Sequence, residues 1–122
     1  MADYYEEWKI EGFKGRTLIY LGEACWIAED FESAKSYLKE GLERMKHVNK
    51  YCRDPRAEDF EFCLGCKGIE GHGYDLLGLC FKATGDKNLA KEYLERAYEI
   101  FKSIEDEEGA QTVLEELSSL EK

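Results

Sequence analysis

Residues 63–86 read CLGCKGIEGHGYDLLGLCFKATGD, and residues 7–30 read EWKIEGFKGRTLIYLGEACWIAED. Both stretches are apolar on more than one side, both are punctuated by glycine, and both end on an aspartate. A helix that is apolar nearly all round is covered on two sides. Each helix-interior glycine costs about 1 kcal/mol relative to alanine. Gly12, Gly15 and Gly22 in one stretch, and Gly68, Gly71 and Gly78 in the other, make sense where a second helix must approach closely.

A charged, one-sided segment follows each stretch. Phe31, Ala34, Leu38, Leu42, Met45 and Val48 recur at three-and-four spacing, as do Leu89, Tyr93, Leu94, Ala97, Phe101 and Ile104, so each set lines one face of a helix. The opposite faces carry Lys39/Glu43, Glu40/Arg44, Lys91/Glu95 and Glu92/Arg96, opposite charges one turn apart. Helices are therefore expected over about 3–28, 31–51, 55–83, 88–104 and 107–120. Asp54 suits the cap of the third and Pro55 its first turn. The third helix is either continuous or kinked at its glycines. The last buries Ala110, Val113, Leu114, Leu117 and Leu120, with acidic residues favouring its start.

A shift of 56 residues lays Gly22 on Gly78, and eleven of the 41 positions from 8 to 48 are then identical without a gap. Gly12, Gly15 and Leu21 meet Gly68, Gly71 and Leu77. Asp30, Ala34-Lys35 and Tyr37-Leu38 meet Asp86, Ala90-Lys91 and Tyr93-Leu94. Unrelated amphipathic helices would share some apolar positions but not the glycines as well, so the chain is read as a duplication. Its units span about 8–48 and 64–104, with an insertion over about 49–63 and a partial third unit over 105–122, all in one domain of residues 1–122.

The matched spacing resembles the tetratricopeptide repeat, whose pattern is W-x2-L-G-x2-Y, then A-x3-F, then P. The first unit offers Leu18-x2-Leu21-Gly22-x2-Cys25 and Ala34-x3-Leu38, with Lys46 at the proline place. The second offers Tyr74-x2-Leu77-Gly78-x2-Phe81 and Ala90-x3-Leu94, with Lys102 last. Trp and Pro are missing from their places, and the spacing exceeds the usual ~34 residues. Leu117-Ser118 falls at a third Leu-Gly place. The resemblance implies an all-α fold of antiparallel helix hairpins, about five helices in all. It also implies a groove lined by the first helix of each pair. Carried onto this sequence, the groove positions are Arg16, Ile19, Glu23, Trp26 and Ile27, then His72, Asp75, Leu79, Lys82 and Ala83. A large aromatic such as Trp26 in a groove is a typical hot spot.

Charge narrows the partner. With 27 acidic against 17 basic residues the formal charge is −10, which repels phosphate backbones and anionic lipid. A protein or peptide partner is expected, and neither nucleic acid nor membrane. No run of ~18 apolar residues exists, and the acidic N-terminus lacks a basic n-region and a cleavage site, so a cytoplasmic location is expected. Lys and Glu abound while Gln and Asn are scarce, a bias of thermophile proteins.

Five cysteines and two histidines raise a metal or redox reading. His47, Cys52, Cys63 and Cys66 are the candidate ligands, and Cys63-x2-Cys66 is a spacing that zinc uses. A Cys52–Cys63 or Cys52–Cys66 disulfide is a further option. Cysteines also pack as small apolar residues, and that reading is preferred; no metal or cofactor is assigned. His72 has no evident nucleophile or acid partner, and GIEGHG follows no strand and precedes no Lys-Ser/Thr, so no enzyme is expected. Three readings follow: an adaptor holding a peptide or protein segment in the groove, a self-associating helical bundle acting as a homodimer, or a metal- or redox-responsive protein.

Overall fold

The computed structural model describes the backbone of residues 2–52 and 60–121 and the side chains of 9–49 and 66–121. Among the described residues there are five helices and no strand: α1 (Ala2–Ile27), α2 (Phe31–Cys52), α3 (Phe60–Ala83), α4 (Lys87–Ser103) and α5 (Glu107–Leu120). The expected elements agree with these to within a residue or so, except at the start of the third. Residues 53–59, where Asp54 and Pro55 were expected to open that helix, lie outside the described residues. From Phe60 onward α3 is one α-helix through all its glycines.

Three turns share one construction. Asp30 N–H donates to the Cys25 carbonyl and Glu29 N–H to that of Trp26; Asp86 and Gly85 do the same to Phe81 and Lys82, and Asp106 and Glu105 to Phe101 and Lys102. This paired closure satisfies the last carbonyls of a helix and needs a left-handed residue at its corner. That residue is Glu29 (φ 63°), Gly85 (φ 89°) or Glu105 (φ 60°). The aspartate after each corner then caps the next helix: its Oδ1 accepts from Ser33 N at 3.3 Å, Leu89 N at 3.1 Å or Gly109 N at 2.9 Å. One short motif thus ends a helix, reverses the chain and starts the next helix.

Reversal makes α1 pack on α2 and α3 on α4, and the two pairs then join through α2–α3 and α1–α3, with α5 on α4. Two glycines of the duplicated pattern, Gly22 and Gly78, sit at the hairpin contacts. A Cβ built on Gly22 would lie 2.6 Å from Leu38 Cγ, and one on Gly78 would lie 2.7 Å from Leu94 Cγ. The two hairpins therefore close in the same way, with Leu38 and Leu94, both fully buried, filling the place a side chain would take. Ala34, Ala90, Ala97, Met45, Val48, Leu77, Cys80 and Val113 continue one core through all the helix pairs. Tyr74, Tyr93 and Phe81 form a stacked row, with centroids 6.1 Å and 5.6 Å apart, at the seam of α2, α3 and α4. Lys35 Nζ of α2 lies 4.6 Å from the Phe81 ring centroid and Arg96 of α4 lies 5.6 Å from that of Tyr93. Asn49, a buried polar residue, ties α2 to α3 by donating to Glu70 Oε2.

Candidate binding groove

The first helices of the successive pairs, α1 and α3, and the lone α5 lie side by side, and polar side chains link them. Glu23 of α1 meets His72 of α3, with Oε2 and Nε2 2.8 Å apart. Lys82 of α3 donates to Ser119 Oγ of α5 at 2.7 Å. Asp75 and Glu116, again one from α3 and one from α5, share a hydrogen bond between their carboxyl groups. Burial, and then this bond to Asp75 and its negative charge, push the Glu116 carboxyl up to about 9. It therefore holds a proton at neutral pH, which two carboxyls in contact require. One oxygen of each, Asp75 Oδ1 and Glu116 Oε2, is otherwise shielded from solvent without a partner.

Beside this pair lies a cleft of about 460 Å³ between α3 and the start of α5, lined by His72, Asp75, Phe101, Asp106, Glu108 and Thr112 along with Gly68 and Gly109. Its lining contains three carboxyl residues and no lysine or arginine.

The residues expected in the groove divide. Arg16 and Glu23 of α1 and His72, Asp75 and Leu79 of α3 are half-buried, and Ile27 and Lys82 are exposed. Arg16 stacks its guanidinium on Phe13 at 5.9 Å from the ring centroid. Trp26 is half-buried and packs against the core. Ile19 departs from the expectation. It is fully buried, and its side chain fills the space left by Gly41 of α2 and Gly73 of α3. It holds two hairpins together and offers no surface to a partner. The sequence reading also missed α5: Thr112, Glu116 and Ser119 belong to the same side of the molecule. The 40-residue spacing that lays Leu117-Ser118 on Leu77-Gly78 carries Thr112 onto His72 and Ser119 onto Leu79, and would have found those two; it lays Glu116 on Leu76, outside the expected groove positions.

The cysteine reading falls partly on undescribed ground. The side chains of Cys52 and Cys63 lie outside the described residues. His47 is exposed on α2 and Cys66 is buried in α3. Among the described residues no group of three metal-ligating side chains converges. Cys80 is buried in the core, and burial pushes its thiol up to about 11, against the opposing charge of Lys35. A thiol held so strongly in its protonated form is a poor nucleophile.

With the helices and their inner faces in place, comparison with known families becomes informative. Residues 72–104 match the family model described as tetratricopeptide repeat. The chain is tetratricopeptide-repeat-like. No curated protein and no solved structure matches it significantly. Tetratricopeptide repeats are in general protein–protein interaction modules, and the matched segment runs from His72 of α3 through α4. No described helix is long and apolar enough to cross a membrane.

Proposed function

We propose that the protein is an adaptor: one domain of two tetratricopeptide-like units, about 8–48 and 64–104, with a partial third. It holds a segment of another protein against the side where α1, α3 and α5 meet. The observation that carries this reading is the polar row on those three helices, from Arg16 and Glu23 through His72 and Asp75 to Lys82 and Thr112. These side chains are half-buried or exposed on helices whose other faces are buried, so they are held in place yet accessible. Such preorganisation lowers the entropy cost of binding. The carboxyl residues of the cleft beside Asp75 favour a segment carrying lysine or arginine, which would gain charge-assisted hydrogen bonds there. The binding reading accounts for these residues without a catalytic role. A cytoplasmic location fits such an adaptor and belongs to the same proposal.

Affinity capture with wild type and variants tests this. Asp75→Lys and Arg16→Glu are expected to lose a partner that Glu99→Lys, on the exposed side of α4, retains. Identical capture by all three variants would remove the groove from consideration.

A further inference from the structure

The duplicated register allows each position of α1 to be compared with its counterpart in α3, and one face of α1 stands out. Ile10, Phe13, Thr17, Tyr20, Leu21 and Ala24 follow three-and-four spacing on the side of α1 opposite Gly15, Ile19 and Gly22, which face α2 and α3. Their counterparts 56 residues later are Cys66, Ile69, Gly73, Leu76, Leu77 and Cys80. Every one of these is buried except Ile69, which is half-buried and packed on the core. The preceding hairpin covers them: a Cβ on Gly73 would meet Leu42 of α2 at 2.9 Å and Ile19 of α1 at 3.1 Å. In the structure the corresponding stripe of α1 is open, with Ile10 49% exposed, Phe13 54%, Tyr20 48% and Leu21 43%. These four side chains present on the order of 400 Å² of largely apolar surface, at the size where a monomer's largest patch marks an interaction site.

We infer that a second copy of this chain covers this stripe, α1 against α1, antiparallel across a two-fold axis at Thr17. Three observations select this occupant. First, the other end of the helix stack does not complement the stripe: the outer side of α5 presents Gln111, Glu115 and Ser118 around Leu114. Head-to-tail stacking would bury apolar groups against polar ones, whereas a two-fold axis sets the same patch against itself. Second, the antiparallel register about Thr17 pairs large with small or large with large: Ile10 with Ala24, and Phe13 with Leu21. Third, the polar group at the axis is already satisfied, because Thr17 Oγ1 donates to the Phe13 carbonyl at 2.8 Å. Its burial strands no donor. Lys14 falls opposite Tyr20, so no like charges meet at the centre. This face is distinct from the groove, and the dimer leaves Asp75, Lys82 and the cleft by α5 uncovered.

Sedimentation velocity over about a hundredfold range of concentration tests the dimer, since two copies of this patch bury roughly 800 Å², below the size of permanent interfaces, and such a dimer dissociates on dilution. The wild type is expected to double its mass as concentration rises. Phe13→Glu and Leu21→Lys are each expected to keep the helical circular dichroism of the wild type and to remain monomeric. Residues 13 and 21 are eight apart, about 12 Å along one helix, so they do not meet within a chain. The antiparallel register brings each beside the other in the partner. The double variant Phe13→Glu/Leu21→Lys therefore regains opposite-charge contacts across the axis and at low salt is expected to associate more than either single variant, though less than the wild type. A wild type that stays monomeric throughout overturns the inference, the stripe then belonging to a different protein. A dimer that survives both single substitutions, or a double variant as monomeric as the singles, overturns it as well.

Discussion

His72 and Glu23 stand 49 residues apart in sequence, and their side chains meet at 2.8 Å. Neither is the counterpart of the other in the duplicated pattern; Arg16 occupies the place of His72, and Leu79 that of Glu23. The contact is therefore a junction between units, tying α1 to α3 on the side proposed to hold a partner. With 33% and 34% of the two side chains exposed, it belongs with partly solvated pairs, which are worth roughly 0.2–1 kcal/mol. A double-mutant cycle with His72→Ala and Glu23→Ala, followed by urea denaturation at neutral pH, is expected to return a coupling of that size. A coupling indistinguishable from zero would mean that the α1–α3 contact rests on Ile19 and Gly73 alone.

Glu116 predicts how stability follows pH. Its folded carboxyl titrates at about 9, against a reference of 4.5. Above pH 4.5 the unfolded chain releases a proton that the folded chain keeps, so the contribution of Glu116 is fully present below about 4.5 and is lost as pH rises through about 9. Glu116→Gln keeps the shape and most of the hydrogen bonding without the proton. Thermal unfolding of wild type and variant should therefore diverge as pH rises from 5 to 9, with the variant the more stable at the alkaline end. Comparing the two chains at each pH cancels the carboxylates remote from this contact. Parallel curves would place the Asp75–Glu116 contact outside the folded state in solution.

How legible this architecture was depends on whether a feature is local. Gly22, Gly78, Asp30 and Asp86 announced hairpins because a close approach and a cap each need a particular residue at one place, whatever lies around it. Ile19 shows the limit. The register gives it the same place as Asp75, but burial depends on what stands behind the helix. Behind Ile19 are Gly41 of α2 and Gly73 of α3, and it is sealed. Beside Asp75 is α5, a helix without a hairpin partner among the described residues, and the place becomes a carboxyl contact with Glu116. The part of α5 on the proposed binding side was obscured for a related reason: in the alignment with α3 only Leu117 was identical, too little to prompt transfer of the expected groove positions. The left-handed corner at Glu29 and Glu105 left no mark, because glutamate does not advertise a positive φ as Gly85 does.

That corner is itself testable. Glutamate in the left-handed region costs about 1 kcal/mol or more, a cost glycine avoids. Glu29→Gly and Glu105→Gly are each expected to stabilise the fold by roughly 1 kcal/mol in urea denaturation. Gly85→Ala should cost a similar amount. A Cβ on Gly85 would meet nothing within 4 Å, so its penalty is purely that of the backbone. Stabilisation by glycine at a solvent-exposed turn is contrary to its usual effect, and finding the opposite sign would show that the corner is not left-handed in solution.

The glycines inside the helices divide by what stands opposite them. A Cβ on Gly22 falls 2.6 Å from Leu38 Cγ and 3.3 Å from the Ala34 carbonyl oxygen, and one on Gly78 falls 2.7 Å from Leu94 Cγ and 3.2 Å from the Ala90 carbonyl oxygen. Neither leucine can yield, since each is fully buried, and neither can the carbonyl of the facing helix. The gain of about 1 kcal/mol in helix propensity is then set against overpacking, which costs about 1–3 kcal/mol. Gly22→Ala and Gly78→Ala should both destabilise. Gly68 belongs to the same aligned set, yet a Cβ there would meet only Ile104 Cδ1 at an ordinary 3.8 Å. Gly68→Ala should therefore stabilise by up to ~1 kcal/mol. Measured side by side, the three variants separate glycines that the hairpins require from one that the duplication carried along. Equal effects at all three positions would mean that α1–α2 and α3–α4 are not packed as closely as their shared pattern implies.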